Sequence, residues 1–242
     1  MPPLKRVLVL QHVAVEHPGI FKTFFAEDGY EYVPIELDEG EAIPALDDFA
    51  ALWVMGGPMD VWEEDEHPWL ETEKAVIAEA VLTRKMPYLG FCLGHQLLAS
   101  ALGGDVGLAK HSEVGVKRVT CLAAGRDSAF LRGLPHELEV LQWHGAEVTQ
   151  PPPGAQVLAS SPLCANQAMS IGAHAFSIQF HVEITTTMVS DWSGIPAYRC
   201  SLEESLGAGG ADLLIADMQH RMPTFNAYAR QLYRNWKASV GW

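Results

Sequence analysis

Cys92 stands between two glycines in the run Gly90-Phe91-Cys92-Leu93-Gly94. A short apolar stretch, Pro87-Tyr88-Leu89, precedes it, and a segment with helical spacing, Leu93 to Leu102, follows and stops at Gly103-Gly104. A cysteine at a strand-to-helix corner is placed for nucleophilic chemistry. Its side chain projects above the sheet, and the first amides of the helix, lacking internal partners, attract a nearby anion. The same helix end favours thiolate over thiol. Flanking glycines let so tight a turn close without steric clash, which is the logic of a nucleophile elbow with cysteine in place of serine. A small core residue beside packing glycines is the competing reading, and it is the one given to Cys121, Cys164 and Cys200.

A thiolate nucleophile needs a proton donor for its leaving group. Phe176-Ser177-Ile178-Gln179-Phe180 reads as a strand end, followed by His181-Val182-Glu183. On extended backbone, residues i and i+2 share a side. Glu183 is therefore expected to orient His181, completing a nucleophile–base–orienter set with Cys92.

These residues need a scaffold, and the chain spells one out. Arg6–Gln11, Tyr30–Leu37, Ala51–Met55 and Pro87–Phe91 read as strands. Pro18–Asp28, Trp69–Lys85 and Leu93–Leu102 read as helices between them, the first stopped by Gly29. Leu70, Ala75, Ile77, Val81 and Leu82 are expected on the buried face of the second. Such alternation predicts a parallel sheet covered on both faces. From about Asp105 the chain is richer in strand, with Val114–Leu122, Glu139–Trp143, Gln156–Ser160 and Ala175–Phe180 expected and Pro151–Gly154 a loop. The last sixty residues read as helices, with Met222, Phe225, Ala229, Leu232 and Trp236 on one apolar face. Gly207–Gly210 lacks a following Lys-Ser or Lys-Thr and reads as a turn rather than a phosphate loop.

The 242 residues are 48% apolar, enough for a sizeable core, and carry a formal charge of −14. That balance argues against nucleic acid and anionic membrane as partners. No apolar run reaches the roughly 20 residues that span a bilayer. Four separated cysteines without a C-x-x-C pair point to a reduced, cytoplasmic setting. No metal-ligand spacing is evident, and no cofactor is expected.

Taken together, Gly90-Phe-Cys-Leu-Gly-His-Gln96 and His181-x-Glu183 resemble the nucleophile motif and distal catalytic pair of the class I glutamine amidotransferases. Met55-Gly-Gly-Pro58 is similar to their oxyanion loop, and Gln142-Trp-His-Gly145 to the loop that holds the substrate's amino-acid end. The likeness covers about residues 5 to 184 and is of the kind seen in the glutaminase domain of GMP synthase. It implies an α/β fold, a three-layer αβα flavodoxin-like sheet, mostly parallel, with a nucleophile elbow. Residues 1–184 would be the amidotransferase domain, and 185–242 a helical C-terminal extension packed on it. It further implies Cys92, His181 and Glu183 as the triad, the amides of Gly57 and Leu93 as the oxyanion hole, and Gln96, Trp143 and Gly145 as substrate-binding residues. His95, His111 and His144 are left as loop histidines.

Two departures bear on function. Val182 stands where many members have proline. Trp143-His144-Gly145-Ala146 replaces the Ser-His-x-Asp usual in synthetase-linked members. The chain also shows no synthetase or ATP-pyrophosphatase signature. The resemblance thus implies glutamine hydrolysis that yields glutamate and ammonia for an acceptor, a synthetase on another chain. The alternatives are a γ-glutamyl peptidase or hydrolase using the same triad, and a non-catalytic regulatory protein on this fold.

Overall fold

The computed structural model describes residues 5–207 and 209–242. Ala208, within the expected Gly207–Gly210 turn, and Met1–Leu4 lie outside them. In chain order the elements are β1 (Arg6–Gln11), α1 (Phe21–Asp28), β2 (Glu31–Glu36), β3 (Ala51–Val54), α2 (Trp69–Ala78), β4 (Tyr88–Phe91), α3 (Leu93–Ala101) and β5 (Asp105–Cys121). They continue with α4 (Ala123–Asp127), β6 (Glu137–Gln150), β7 (Ala155–Ser160), β8 (Ala168–Ile171), β9 (Ala175–Ile178), α5 (Met188–Trp192), α6 (Pro196–Leu206) and α7 (Gly210–Ser239). Gly29 ends α1 in the left-handed conformation, at φ 67°.

One sheet of nine strands runs in the order β2-β1-β3-β4-β9-β8-β7-β5-β6. The first five are mutually parallel. The rest pair antiparallel, so that only β8 and β5 run against the common direction. Side chains alternate along each strand and build two cores. Val7, Val9, Trp53, Phe91 and Phe176 face one way, against Phe21 and Phe25 of α1 and Tyr233 and Trp236 of α7. Leu8, Leu10, Val54 and Tyr88 face the other way, against α2 and α3. This is the three-layer αβα arrangement. A third cluster sets Trp192, Tyr198, Leu214 and Phe225 of α5 to α7 on Val114, Leu141 and Trp143 of the β5–β6 ribbon.

Several elements differ from their sequence expectations. The ribbon strands run well beyond Val114–Leu122 and Glu139–Trp143, because exposed polar residues and glycines break the apolar pattern of their outer halves. The short β8 and α4 carry no distinct periodic signal. The second helix continues from α2 through a π-helical turn at Glu79–Thr83. Of the expected face, Leu70, Ile77 and Val81 are buried, whereas Ala75, in the regular part of α2, and Leu82, in the irregular turn, point to solvent, and Glu73 and Ala80 are buried in their place. The α7 face is as expected, with Met222, Phe225, Ala229, Leu232 and Trp236 all buried. Among the described residues, no helix is long and apolar enough to cross a membrane.

Candidate active site

The carboxyl ends of β1, β3, β4 and β9 converge, and the strand order reverses between β1 and β3. In open α/β sheets this is where ligand sites form. Cys92 sits in the turn from β4 to α3 with φ 47° and ψ −102°, a left-handed conformation rare for a residue with a side chain. Its amide donates to Ile178 O at 2.9 Å, and its carbonyl accepts from His95 and Gln96 at 3.0 and 3.2 Å. Both neighbouring glycines are required by contact. A Cβ on Gly90 would press on the Gly94 carbonyl, and one on Gly94 would collide with Val54 O of β3. The elbow is thus wedged between β3 and its own helix.

His181 and Glu183 lie just beyond β9. The His181 amide donates to Leu141 O at 2.8 Å, which fastens the segment to β6. Phe180 and Val182 point into one core and Ile184 into another, so His181 and Glu183 share the remaining side. His181 Nδ1 lies 2.6 Å from Glu183 Oε1, and the Val182 amide donates to Glu183 Oε2 at 2.9 Å. Both groups are buried. Burial pushes the His181 imidazole down, but the Glu183 charge and the Cys92 side chain outweigh it, and its pKa stands well above the usual histidine value. Trp192 of α5 meets the ring edge-on at 4.8 Å between ring centres.

The cleft above Cys92 is lined by Gly57, Met59, Leu93, Gln96, Trp143 and Gly145, and by Ala197, Tyr198 and Ser201 of α6. Gly57, Leu93, Gln96, Trp143 and Gly145 therefore border one cleft with Cys92, while His181 approaches the sulfur from the end of β9, with Glu183 behind it. Gln96 is buried, and its Nε2 donates to Ala146 O and Gln179 Oε1, both at 3.1 Å. Trp143 donates from Nε1 to Ser201 Oγ at 2.8 Å. The expectation of loop histidines is corrected. His95 is buried in α3 between Ser177 Oγ and Asn166 O, and burial drops its pKa to about 3. His144 is buried in β6, 3.3 Å from Glu113, and only His111 is exposed. Cys121 and Cys164 are buried as expected, but Cys200 is exposed, because α6 turns it away from Leu202 and the ribbon.

Five polar residues near the site went unread in the sequence. Gln179 donates from Nε2 to Cys92 Sγ at 3.5 Å. Its signal was present, since it stands two residues before His181 on an extended segment. Glu16 is buried and accepts from the Tyr198 hydroxyl through Oε1 at 2.6 Å. Its Oε2 has no hydrogen-bond partner among the described residues. Burial, with the nearby Glu183, raises the Glu16 carboxyl to about 7 against the pull of His181 and Tyr198. Glu16, His181 and Glu183 also bring one ligand-capable atom each within 4.8 Å of the others. Behind the Gly56–Gly57 loop, His12 and Glu73 form a buried pair at 3.0 Å. Neither Glu16 nor the His12–Glu73 pair has a local signature, since each is made by segments far apart in the chain.

Comparison with known proteins agrees with this geometry. The chain is 36% identical over 146 residues to a subunit of the glutamine-hydrolysing GMP synthase of Saccharolobus solfataricus, covering 60% of this chain and 73% of that one. It is 29% identical over 174 residues to gamma-glutamyl peptidase 3 of Arabidopsis thaliana, covering 68% of each. A crystal structure of a glutamine amidotransferase from Methylobacillus flagellatus superposes with a TM-score of 0.86 at 33% identity, over 98% of this chain and 96% of that chain. A family model, glutamine amidotransferase class-I, matches residues 26–190, more than half of the chain, and the chain belongs to that family.

Proposed function

We propose that the chain hydrolyses the γ-carboxamide of glutamine through a thioester on Cys92, releasing glutamate and ammonia. The observation that carries this reading is the strained Cys92 corner, with Gln179 donating to its sulfur and the buried His181–Glu183 pair beside it. The Cys92 sulfur attacks the amide carbon while the Gly57 and Leu93 amides receive the developing oxyanion. Each such donor is worth about 3 kcal/mol of transition-state stabilisation. The carbon–nitrogen bond breaks as imidazolium His181 hands its proton to the departing ammonia. Water then enters, His181 takes its proton, and the thioester breaks to free glutamate and the thiolate. Glu183 holds the imidazole in place throughout. Gln96, Trp143 and Gly145 wall the part of the cleft where the glutamyl chain would lie. The ammonia acceptor would be a synthetase on another chain, as the likeness to a GMP synthase subunit suggests.

A second reading has its own support. The chain's α6 supplies one wall of the cleft with Ala197, Tyr198 and Ser201, so that wall needs no partner chain. That favours a free-standing γ-glutamyl peptidase or hydrolase, which would form the same acyl-enzyme. The purified chain is to be assayed with glutamine and with a panel of γ-glutamyl peptides, with ammonia and glutamate both quantified. Preferred hydrolysis of glutamine, weak in isolation and raised by a partner, supports the first reading. Strong γ-glutamyl peptide hydrolysis with glutamine a poor substrate replaces it with the second. No turnover of either substrate, and no reaction of Cys92 with an electrophilic glutamine analogue, overturns both.

A further inference from the structure

His12 follows the last residue of β1, directly behind the oxyanion loop, and is fully buried. Its Nδ1 lies 2.7 Å from the Gly56 carbonyl oxygen, and its Nε2 lies 3.0 and 3.2 Å from the two oxygens of Glu73 on α2. A carbonyl can only accept, so Nδ1 carries a proton and donates it. Nε2 faces a carboxylate with no exposed surface on either side chain. Burial opposes charge on His12, but the Glu73 carboxylate and the hydrogen bonds to Glu73 and Gly56 outweigh it and raise the pKa. Trp69 stacks on the ring at 5.5 Å between centres and 26° between planes.

The Gly56 carbonyl and the Gly57 N–H belong to one trans peptide unit and point in opposite directions. Whatever grips the carbonyl therefore decides where the N–H points. Packing leaves this peptide little room. A Cβ at Gly56 would meet the Glu16 carboxylate, and one at Gly57 would meet the His12 Cβ and the Leu93 side chain. We infer that His12, steadied by Glu73, is a positioning residue that holds the Gly56–Gly57 peptide with its N–H turned into the cleft and so keeps the oxyanion donor ready. Rotation of the peptide would turn the N–H toward the His12 Nδ1–H and the carbonyl toward the thioester oxygen. Both changes are unfavourable, since the first sets donor against donor and the second sets acceptor against acceptor. His12 touches no reacting atom; it acts through the backbone.

This inference rests on the γ-glutamyl reading above for its kinetic consequence, but not for its geometry. Three variants separate the possibilities. The double variant His12→Phe with Glu73→Leu removes the donor without stranding a buried carboxylate. His12→Asn places an amide N–H near the position of Nδ1. Glu73→Gln leaves the Nδ1 proton in place. With the better γ-glutamyl substrate, the double variant should lose about 10² to 10³ in kcat, the usual cost of one oxyanion donor, with KM within about twofold. His12→Asn and Glu73→Gln should each stay within about tenfold of the unaltered chain. A double variant with unaltered kcat, a loss carried by KM alone, or an equal loss in His12→Asn overturns the inference. Nitrogen-15 NMR of the unaltered chain supplies a test that needs neither a substrate nor a folded variant. A protonated His12 Nδ1 at pH 7 supports the lock, and a bare Nδ1 overturns it. If the unaltered chain turns over no γ-glutamyl substrate, the functional reading fails while the NMR result still decides the lock.

Discussion

At Cys92 the backbone is held at φ 47°, a conformation that costs about 1 to 3 kcal/mol and persists only because its surroundings enforce it. Cys92→Ala should abolish turnover while leaving the far-ultraviolet circular dichroism and the melting temperature close to those of the unaltered chain. Retained turnover would remove Cys92 from the mechanism. An electrophilic glutamine analogue should label Cys92 ahead of the others, read by peptide mass spectrometry. A simple alkylating agent is the wrong probe, since Cys200 is exposed and Cys92 is not. His181→Ala should cost about 10² to 10⁴ in rate, the span of a lost general acid–base, and Glu183→Gln less. Glu16 should reveal itself through pH. Its carboxyl titrates near 4.5 in the unfolded chain and at about 7 when folded. Between these values the unfolded chain releases a proton that the folded chain keeps. Stability from this group is thus full below about pH 4.5 and is lost as pH rises toward 7. Denaturant unfolding at pH 5 and pH 8 should show Glu16→Gln freed of a decline on the order of 2 to 3 kcal/mol. Equal pH dependence in both proteins would mean that Glu16 titrates normally.

Among the elements, α3 and α6 define the cleft. The α3 helix approaches β3 so closely that only glycine fits at position 94, where the Gly94 amide also donates to Met55 O at 3.1 Å. Gly94→Ala should push the elbow off β3, costing about 1 to 3 kcal/mol in denaturant unfolding and most of the activity. An unchanged midpoint would show that the helix can shift freely. The α6 helix is tied to the site at two points, Tyr198 to Glu16 and Ser201 to Trp143. Tyr198 itself is buried, and its ionisation is pushed well above the usual tyrosine range by burial and by Glu16. It therefore stays a neutral donor throughout the working pH range. The helix that walls the cleft thereby also grips Glu16, beside His181 and Glu183.

In the whole molecule the C-terminal helices are proposed to be part of one folding unit with residues 1–184. Ala229, Leu232, Tyr233 and Trp236 of α7 lie in the same core as Phe21, Trp53 and Phe91. Trp53 meets Trp236 edge-on at 5.1 Å, and Tyr233 donates to Asp28 Oδ2 at 2.7 Å. A chain ending at residue 184 should lose cooperative thermal unfolding and near-ultraviolet circular dichroism. A truncated chain that melts cooperatively would make the extension a separate unit.

Local chemistry made much of this legible. Glycine at positions 90 and 94 announced a tight corner, because no side chain fits there. The alternation of apolar strands and helices announced the covered parallel sheet, because both of its faces must be buried. The i, i+2 spacing placed Glu183 beside His181, since extended backbone permits little else. Position along the chain could not say what lies across a fold. Glu73 occupies a helix position that reads as solvent-facing, and His12 follows an ordinary strand, yet burial makes them partners across 61 residues of sequence. Glu16 acquires its altered acidity only where Tyr198, contributed by a helix 182 residues later, and His181 and Glu183 enclose it. Pairings and desolvation of this kind are products of long-range packing, so they come into being only when the sheet and its helices close around the site.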